Sequence, residues 1–485
     1  MVLSVALLFF AFLFVFWSLS YLIALLRTKK CIKGSMSLPP GPWGFPLLGH
    51  LHMLGDLPHR DLQKLSQKYG PIMHIRLGLV PAIVVSSPEW AELLLKTHDL
   101  NFASRPDIQA SKCLSRGRQS MLFAAYGPNW RNVRKLCTLE LLSNSKIESF
   151  QSMRREEVHN FIKSIKIAAE SHSVINLTAK IGSLVEDMTF IMIFGAKDDK
   201  FNFKPIIDEA TGIGRKSKAL SKVIDGFFER IIDEHVQDAK SIQGEHRDFI
   251  DVLLSLMETN DTSEQHLDRD TIKAILLDML AAALDTSTSV TEWALSELLK
   301  HPRVMKLVQE ELKNVVGMDR MVEEADMTKL DYLNIVIKES MRIHPVTPFL
   351  LPRESIEDIT INGYFMPKKS RVLINTWAIG KDPKVWSSNA EEFYPERFIG
   401  TKIDHQGRDF QFLPFGSGRR KCPGMQLGIT VVQLVLAQMV HCFNFELPDG
   451  MSAEDLDMSE TFGVTLPRTN HLLAIPTYRL PMTDI

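Results

Sequence analysis

Apolar and polar positions change rhythm several times along the chain, and each change predicts a different element. Residues 2–26, VLSVALLFFAFLFVFWSLSYLIALL, form 25 consecutive positions without a charge, enough helix to cross about 30 Å of hydrocarbon. Arg27, Lys29, Lys30 and Lys33 follow, and no charged side chain precedes the run. The positive-inside rule therefore predicts a membrane anchor with the rest of the chain cytosolic. A cleaved secretory signal would carry a shorter apolar core behind a basic start. Asn176-Leu-Thr and Asn260-Asp-Thr match the glycosylation sequon, and glycans on either would reverse that orientation. Residues 37–49, SLPPGPWGFPLLG, hold four prolines and three glycines, which predicts a stiff, extended neck.

Beyond the neck, IMHIRLG (72–78) and AIVVSS (82–87) predict a strand pair turning near Gly78 and Pro81. Ser87-Pro88-Glu89 then supplies an N-cap, a first-turn proline and an early acid for a helix. Residues 126–345 are mostly helical in pattern, interrupted by the polar loop METNDTSEQHLDRD (257–270). Strand patterns return at 358–367, 370–380 and near the C-terminus. Residues 422–445 lack Asp, Glu, Lys and Arg. Three glutamines interrupt this stretch, which predicts a helix buried in a protein core rather than a second span. The chain shows neither an internal repeat nor a low-complexity segment, so one helix-rich body with small sheets accounts for it better than several domains.

Composition narrows the class. The 485-residue chain is 45% hydrophobic and 24% charged with net charge −2, which fits a globular protein and not a nucleic-acid binder. Five cysteines, at 31, 113, 137, 422 and 442, include no C-x-x-C pair. This excludes a disulfide framework, a zinc cluster and a cysteine-held iron–sulfur centre.

One cysteine stands apart. In FLPFGSGRRKCPG (412–424), Cys422 follows two glycines and the cations Arg419, Arg420 and Lys421. Positive charge and a helix N-terminus near Pro423 favour the thiolate. A nucleophile wants a neighbouring base and a redox switch wants a resolving cysteine; the local sequence supplies neither. A single thiolate in a glycine-rich turn before an apolar helix suits a haem iron, onto which it pushes electron density.

Phe415-x-x-Gly418-x-Arg420-x-Cys422-x-Gly424 resembles the haem-binding signature of the cytochrome P-450 superfamily of haem-thiolate monooxygenases. The resemblance implies a mainly α fold with small peripheral β-sheets. A single large domain (50–485) would follow the anchor (2–26) and neck (37–49). It makes Cys422 the proximal ligand of haem b, shielded by Phe415. Gly418 would shape the turn, Arg420 meet a propionate, and Gly424 let the helix approach the porphyrin. Glu339-x-x-Arg342 and Arg397 of Phe393-Tyr394-Pro395-Glu396-Arg397-Phe398 match the family's buried Glu–Arg–Arg cluster. Trp130-x-x-x-Arg134, one helical turn apart, resembles its propionate clamp, joined by Arg420 and Arg353.

Residues 270–300 predict a long helix capped by Asp270, and within it Ala282-Ala283-Leu284-Asp285-Thr286-Ser287 resembles the family's oxygen-binding motif. Thr286 can bond back to the carbonyl of Ala282 and open a groove, while Asp285 and Thr286 would pass protons toward the oxygen. The family most often has glycine at the position of Ala283; the added methyl narrows the groove and bears on rate and coupling. Arg131, Lys135, Arg419 and Lys421 would form a basic rim steering an acidic electron donor. The resemblance implies that this donor is a membrane-bound NADPH-cytochrome reductase, with cytochrome b5 as a further candidate, so that NADPH would act only indirectly.

The whole pattern is most similar to plant microsomal members of specialised metabolism, on the endoplasmic reticulum membrane and facing the cytosol. Such enzymes hydroxylate small hydrophobic metabolites such as terpenoids, phenolics or biphenyls. By position, the substrate-facing segments are 103–125, 205–222, the helix around Ala282, Val346 to Leu351, and Thr461 to Leu466. A haem-thiolate isomerase or dehydratase of the same fold would not need the Asp285–Thr286 pair. A non-catalytic haem sensor would need neither a donor face nor a substrate cavity.

Overall fold

The computed structural model describes residues 15, 18, 37–108, 120–197, 217–238, 248–259 and 267–481. The expected anchor, most of 205–222 and Asn260 lie outside the described residues. The chain divides into two compact units. One is built from Met1–Pro106, Thr347–Ala390 and Gln406–Arg420, the other from Asp107–Val346, Glu391–His405 and Lys421–Ile485.

The first unit is organised by a four-stranded sheet. Strand Ile72–Leu77 pairs antiparallel with Val80–Val85, Ile72 facing Val85 and Leu77 facing Val80. Val80–Val85 runs parallel to Arg371–Ile374, which pairs antiparallel with Arg353–Glu354. Alternate residues enter two separate cores. Ile72, Ile83, Val85, Val372 and Ile374 pack with Leu94, Phe102 and Leu413 on one face. Met73, Ile75, Ala82, Val84 and Leu373 pack with Leu62 of helix Pro58–Tyr69 on the other. Burial of both faces explains the near-continuous apolar run AIVV. Pro81 lies inside the second strand, opposite Arg76, before its pairing with Arg371–Ile374 begins, so its missing N–H interrupts no bond to that neighbour.

The stretch expected as strand over 370–380 is strand only to Ile374. Asn375 accepts from the amide of Ala378 at 3.0 Å and starts helix Thr376–Gly380. A good N-cap in mid-segment outweighs the β pattern that follows. Ser87 caps Pro88–Glu92 through the amide of Trp90, as its sequence predicts.

The second unit is helical. Its longest helix, Arg269–Lys300, is capped by Asp268 rather than Asp270. Asp268 Oδ1 accepts from the amide and the hydroxyl of Thr271 at 2.8 and 2.6 Å, while Asp270 pairs with Lys273 at 2.9 Å. Two described helices are long and apolar enough to cross a membrane, this one and Met425–Cys442. In the latter, Ile429 and nearly every residue from Val431 to Cys442 are buried. Gln438 is satisfied within the protein, exchanging bonds with both backbone groups of Val322. The charge-free stretch is a core helix. A small sheet joins Ile175–Asn176, Leu473–Tyr478 and Phe443–Glu446.

Helix Asp331–Ile343 carries the Glu–Arg pair. Arg342 grips Glu339 bidentately, both bonds at 2.7 Å. Arg397 Nε and the Tyr394 amide reach the same carboxylate at 2.9 and 2.8 Å. Both guanidinium groups also donate to the carbonyl of Glu392. The spacing alone allowed an exposed ion pair. The structure instead buries Glu339 and Arg342 completely and leaves Arg397 only 7% exposed.

Candidate active site

Cys422 sits between the short turn Gly418–Arg420 and helix Met425–Cys442. The Gly424 amide hydrogen-bonds its sulfur, the arrangement expected where a turn feeds a helix N-terminus. Arg134 lies nearby and donates to the carbonyl of Lys421 at 2.6 Å. Burial nevertheless pushes the Cys422 thiol above its ordinary range, opposed by the Gly424 amide, Arg134 and Lys421. The expectation that the adjacent cations and the helix N-terminus favour the thiolate is therefore revised for the protein by itself. Arg419 and Arg420 are aimed elsewhere, and desolvation outweighs the charges that remain. A stable thiolate at Cys422 needs a further positive centre on the sulfur. Cys137 and Cys442 are buried and pushed up to about 12, as inert core thiols are.

In the first unit, Gly418 takes φ +68°, and a Cβ there would lie 2.4 Å from both Asp99 Oδ1 and the Leu95 carbonyl. Glycine is required by the turn and by this approach. Around it gather three buried guanidinium groups. Arg353 donates to Asp99 Oδ1 at 2.7 Å and to the Ser417 carbonyl at 2.5 Å. Arg420 Nε donates to the Ala103 carbonyl at 2.7 Å. Arg105 donates to the carbonyls of Leu351 and Pro352. Arg105 loses affinity for its proton through burial and then through repulsion from Arg420 and Arg353. Asp99 is shared, also accepting from Arg419 at 2.8 Å. Arg419, expected on an open basic rim, is thus already paired. Arg105 and Asp99 escaped the sequence reading, because a lone arginine in FASRPD and an aspartate in HDLNF carry no spacing signal.

In the second unit, Trp130 and Arg134 share helix Pro128–Leu136. Trp130 is buried and its Nε1 donates to the Met121 carbonyl at 3.0 Å. A propionate there would share or replace that bond. Arg131 and Lys135 of the same helix are exposed. Phe415 is half-buried. At Gly424 an added Cβ would meet no protein atom, so protein packing does not itself require glycine.

Helix Arg269–Lys300 is buried over most of Thr271–Leu280 and again from Thr291 to Leu299, but Ala281, Ala282 and Asp285 between them are exposed. Thr286 Oγ1 donates to the Ala282 carbonyl at 2.7 Å, the back-bond its position predicts. Thr288 and Thr291 do the same to Leu284 and Ser287, so three threonine hydroxyls within six residues compete within the ladder. Upstream, Asp278 is buried and accepts from Ser120 Oγ at 2.8 and 2.9 Å and from the amides of Met121 and Leu122. Burial raises its carboxyl to about 7 against those hydrogen bonds. Asp278 too was missed, being a lone acid in an apolar run.

The donor set fits haem. A sulfur with an amide directed at it suits an iron ligand. Three buried guanidinium groups, Arg105 repelled by the other two, suit anionic propionates. Such a fold and site define a haem-thiolate enzyme. The family described as Cytochrome P-450 matches residues 39–209 and 198–475. Cytochrome P-450 CYP736A12 of Panax ginseng is 53% identical over 475 residues, covering 93% of this chain and 95% of that protein. Melianol synthase CYP71BQ5 of Azadirachta indica is 41% identical over 492 residues, covering 96% and 97%. A zebra fish cytochrome P-450 solved with progesterone superposes with TM-score 0.77 at 28% identity, covering 87% of this chain and 99% of that one. The chain belongs to the cytochrome P-450 family. It is a haem-containing oxidoreductase of the plant branch that serves specialised metabolism, and the family takes its electrons from a separate reductase.

Proposed function

We propose that this enzyme hydroxylates a small, neutral, hydrophobic plant metabolite, with electrons delivered from NADPH by a membrane-bound reductase. Residues 2–26 hold it to the endoplasmic reticulum, facing the cytosol. The observation that carries the reading is that Ala281, Ala282 and Asp285 are exposed, beside the Thr286 back-bond, in a helix buried on either side. A polar pair in such a position has no packing role, whereas proton delivery needs it.

Within the first unit, Arg420, Arg353 and Arg105 are suited to propionates, and Phe415 and Gly418 shape their turn. Within the second, Cys422 is suited to be the iron ligand and Gly424 to admit the porphyrin, and Trp130 and Arg134 share one helix. Bound haem supplies dioxygen activation, favoured by thiolate electron donation. Thr286 holds a hydroxyl at a loosened turn, and Asp285 exchanges protons with solvent and passes them to it. Val346 and the turn Thr461–Leu466 exclude water and position an apolar substrate. The relative named for melianol synthesis supports a plant metabolite of that general kind.

The test combines the purified protein with a plant reductase, NADPH and a panel of apolar plant metabolites, read by product mass. Products heavier by one oxygen are expected. Turnover that ignores NADPH would overturn the reading. The reduced carbon monoxide complex should show a red-shifted Soret band that Cys422→Ser abolishes; its persistence would displace Cys422 as ligand.

A further inference from the structure

Seven residues beyond Thr286, about two turns along the same helix face, lies Trp293, with no exposed surface. Its indole is used on more than one side. Nε1 donates to the Leu466 carbonyl at 2.9 Å. One ring face stacks on the imidazole of His344, with centroids 3.9 Å apart and planes 3° from parallel. His344 Nε2 in turn meets Glu297 Oε1 at 2.6 Å, and Glu297 is the next turn of the helix that carries Trp293. The circuit closes through the backbone, because the Leu466 amide donates to the Val346 carbonyl at 2.8 Å and Val346 lies two residues after His344.

Two chain segments are thereby fastened to one rigid helix. Val346 begins one substrate-facing stretch and Leu466 ends the other. Leu466 is buried, but the turn before it is open, with Val464 72% exposed. The hydrogen bonds that join the circuit to the wall segments run through the backbone, at the Leu466 carbonyl and the Leu466–Val346 pair. A tryptophan serving packing alone would not require a coplanar imidazole held by a buried carboxylate, since an apolar neighbour fills the same space without desolvating a charge.

We infer that Trp293, held by His344 and Glu297, is a specificity-determining positioning residue that sets how far the Val346 and Leu466 walls stand from the helix bearing Thr286. The inference rests on the assignment of those two segments to the substrate cavity. The stack fixes the first wall and the indole N–H fixes the second, so loss of either lets one wall shift against the other. A sub-ångström shift in a packed apolar cavity changes which molecules fit before it changes whether the cavity exists.

The test is spectral titration of the haem-loaded full chain with imidazole and with 1-substituted imidazoles whose alkyl or aryl tails increase in size. Trp293→Phe keeps a ring against His344 and removes the N–H. It should retain the red-shifted carbon monoxide band and the affinity for imidazole itself, while the preference between the smallest and largest tails shifts about tenfold. A merely structural role would lower thermal stability and leave that ordering alone. If Trp293→Phe loses the band, Glu297→Gln, which leaves the indole in place and weakens the hold on His344 and on the outlying His301, serves with the same readout. A wild type whose affinity ignores tail size would overturn the cavity assignment itself. A size-dependent wild type matched by its variants across the series would overturn the role of Trp293 alone.

Discussion

Two buried charge clusters, one in each unit, follow opposite rules. In the second unit, Glu339 is answered on every side: two guanidinium groups and an amide converge on it, and the spare guanidinium donors take the Glu392 carbonyl. In the first unit, Arg353 pairs with Asp99, while Arg105 and Arg420 donate to backbone carbonyls and Arg105 is repelled by both neighbours. The first arrangement is complete and braces the protein. The second holds three buried guanidinium groups close enough for Arg105 to be repelled by the other two, a costly arrangement in a desolvated place. On the proposed reading, the first cluster is a structural member and the second a place for the anionic edge of the cofactor.

The largest effect should come from breaking the balanced cluster. Glu339→Ala leaves two guanidinium groups buried without a counter-charge, a loss of about 3–5 kcal/mol. Soluble, haem-loaded protein should be nearly absent, measured by the reduced carbon monoxide difference spectrum against total protein. A variant with full haem content would show that the cluster is not a brace.

How legible these regions were depended on whether the chemistry had a spacing. Glu339 and Arg342 stand at i, i+3 on an apolar-patterned helix, and Cys422 stands in a turn dense with glycine and cations, so both were readable. The back-bond of Thr286 followed from helix geometry. Arg105, Asp99 and Asp278 meet their partners across distant stretches, and no local pattern announces them. The same holds for Trp293 and His344, whose stack joins residues 51 positions apart. The direction of the Cys422 shift was not legible because sequence shows neighbouring charges but not how deeply the sulfur is buried.

Asp278 is a third kind of buried charge, answered only by a hydroxyl and two amides, and its effect should come next. Burial raises its carboxyl from 3.8 to about 7. The folded state therefore holds the proton more tightly than the unfolded chain. Its stabilising share is complete below about pH 4 and is lost as pH rises through about 7, at up to about 1.4 kcal/mol per pH unit. Asp278→Asn should gain stability relative to the wild type across that window, measured by urea unfolding at successive pH values. A difference that does not change with pH would mean the carboxylate is charged throughout.

The unbalanced cluster should respond in the opposite sense to Glu339. Arg105→Met removes a repelled charge along with its bonds to the Leu351 and Pro352 carbonyls. These losses and gains offset each other in the haem-free protein, whose unfolding free energy should stay within about 1 kcal/mol of the wild type. Haem, deprived of one cation, should leave about tenfold faster, the worth of one charge-assisted hydrogen bond. Capture of released haem by apomyoglobin measures this rate. An unchanged rate with a large loss of apoprotein stability would make Arg105 structural and erase the contrast between the clusters.

Arg419 tests the edge of that contrast and should give the smallest effect. Its guanidinium also reaches Asp99, at 2.8 Å, but 47% of the side chain is exposed, and Asp99 keeps Arg353 when Arg419 is gone. Water and salt screen such a pair, so Arg419→Ala should cost less than about 1 kcal/mol in unfolding and nothing in haem retention. The residual cost should shrink further as salt is raised. If Arg419 also helps to steer the reductase, the variant should slow reduction at low salt only, since steering acts on association rate. Rapid haem loss would instead place Arg419 inside the cluster. The boundary between charges that hold the cofactor and charges that meet the electron donor would then lie at Lys421 rather than at Arg419.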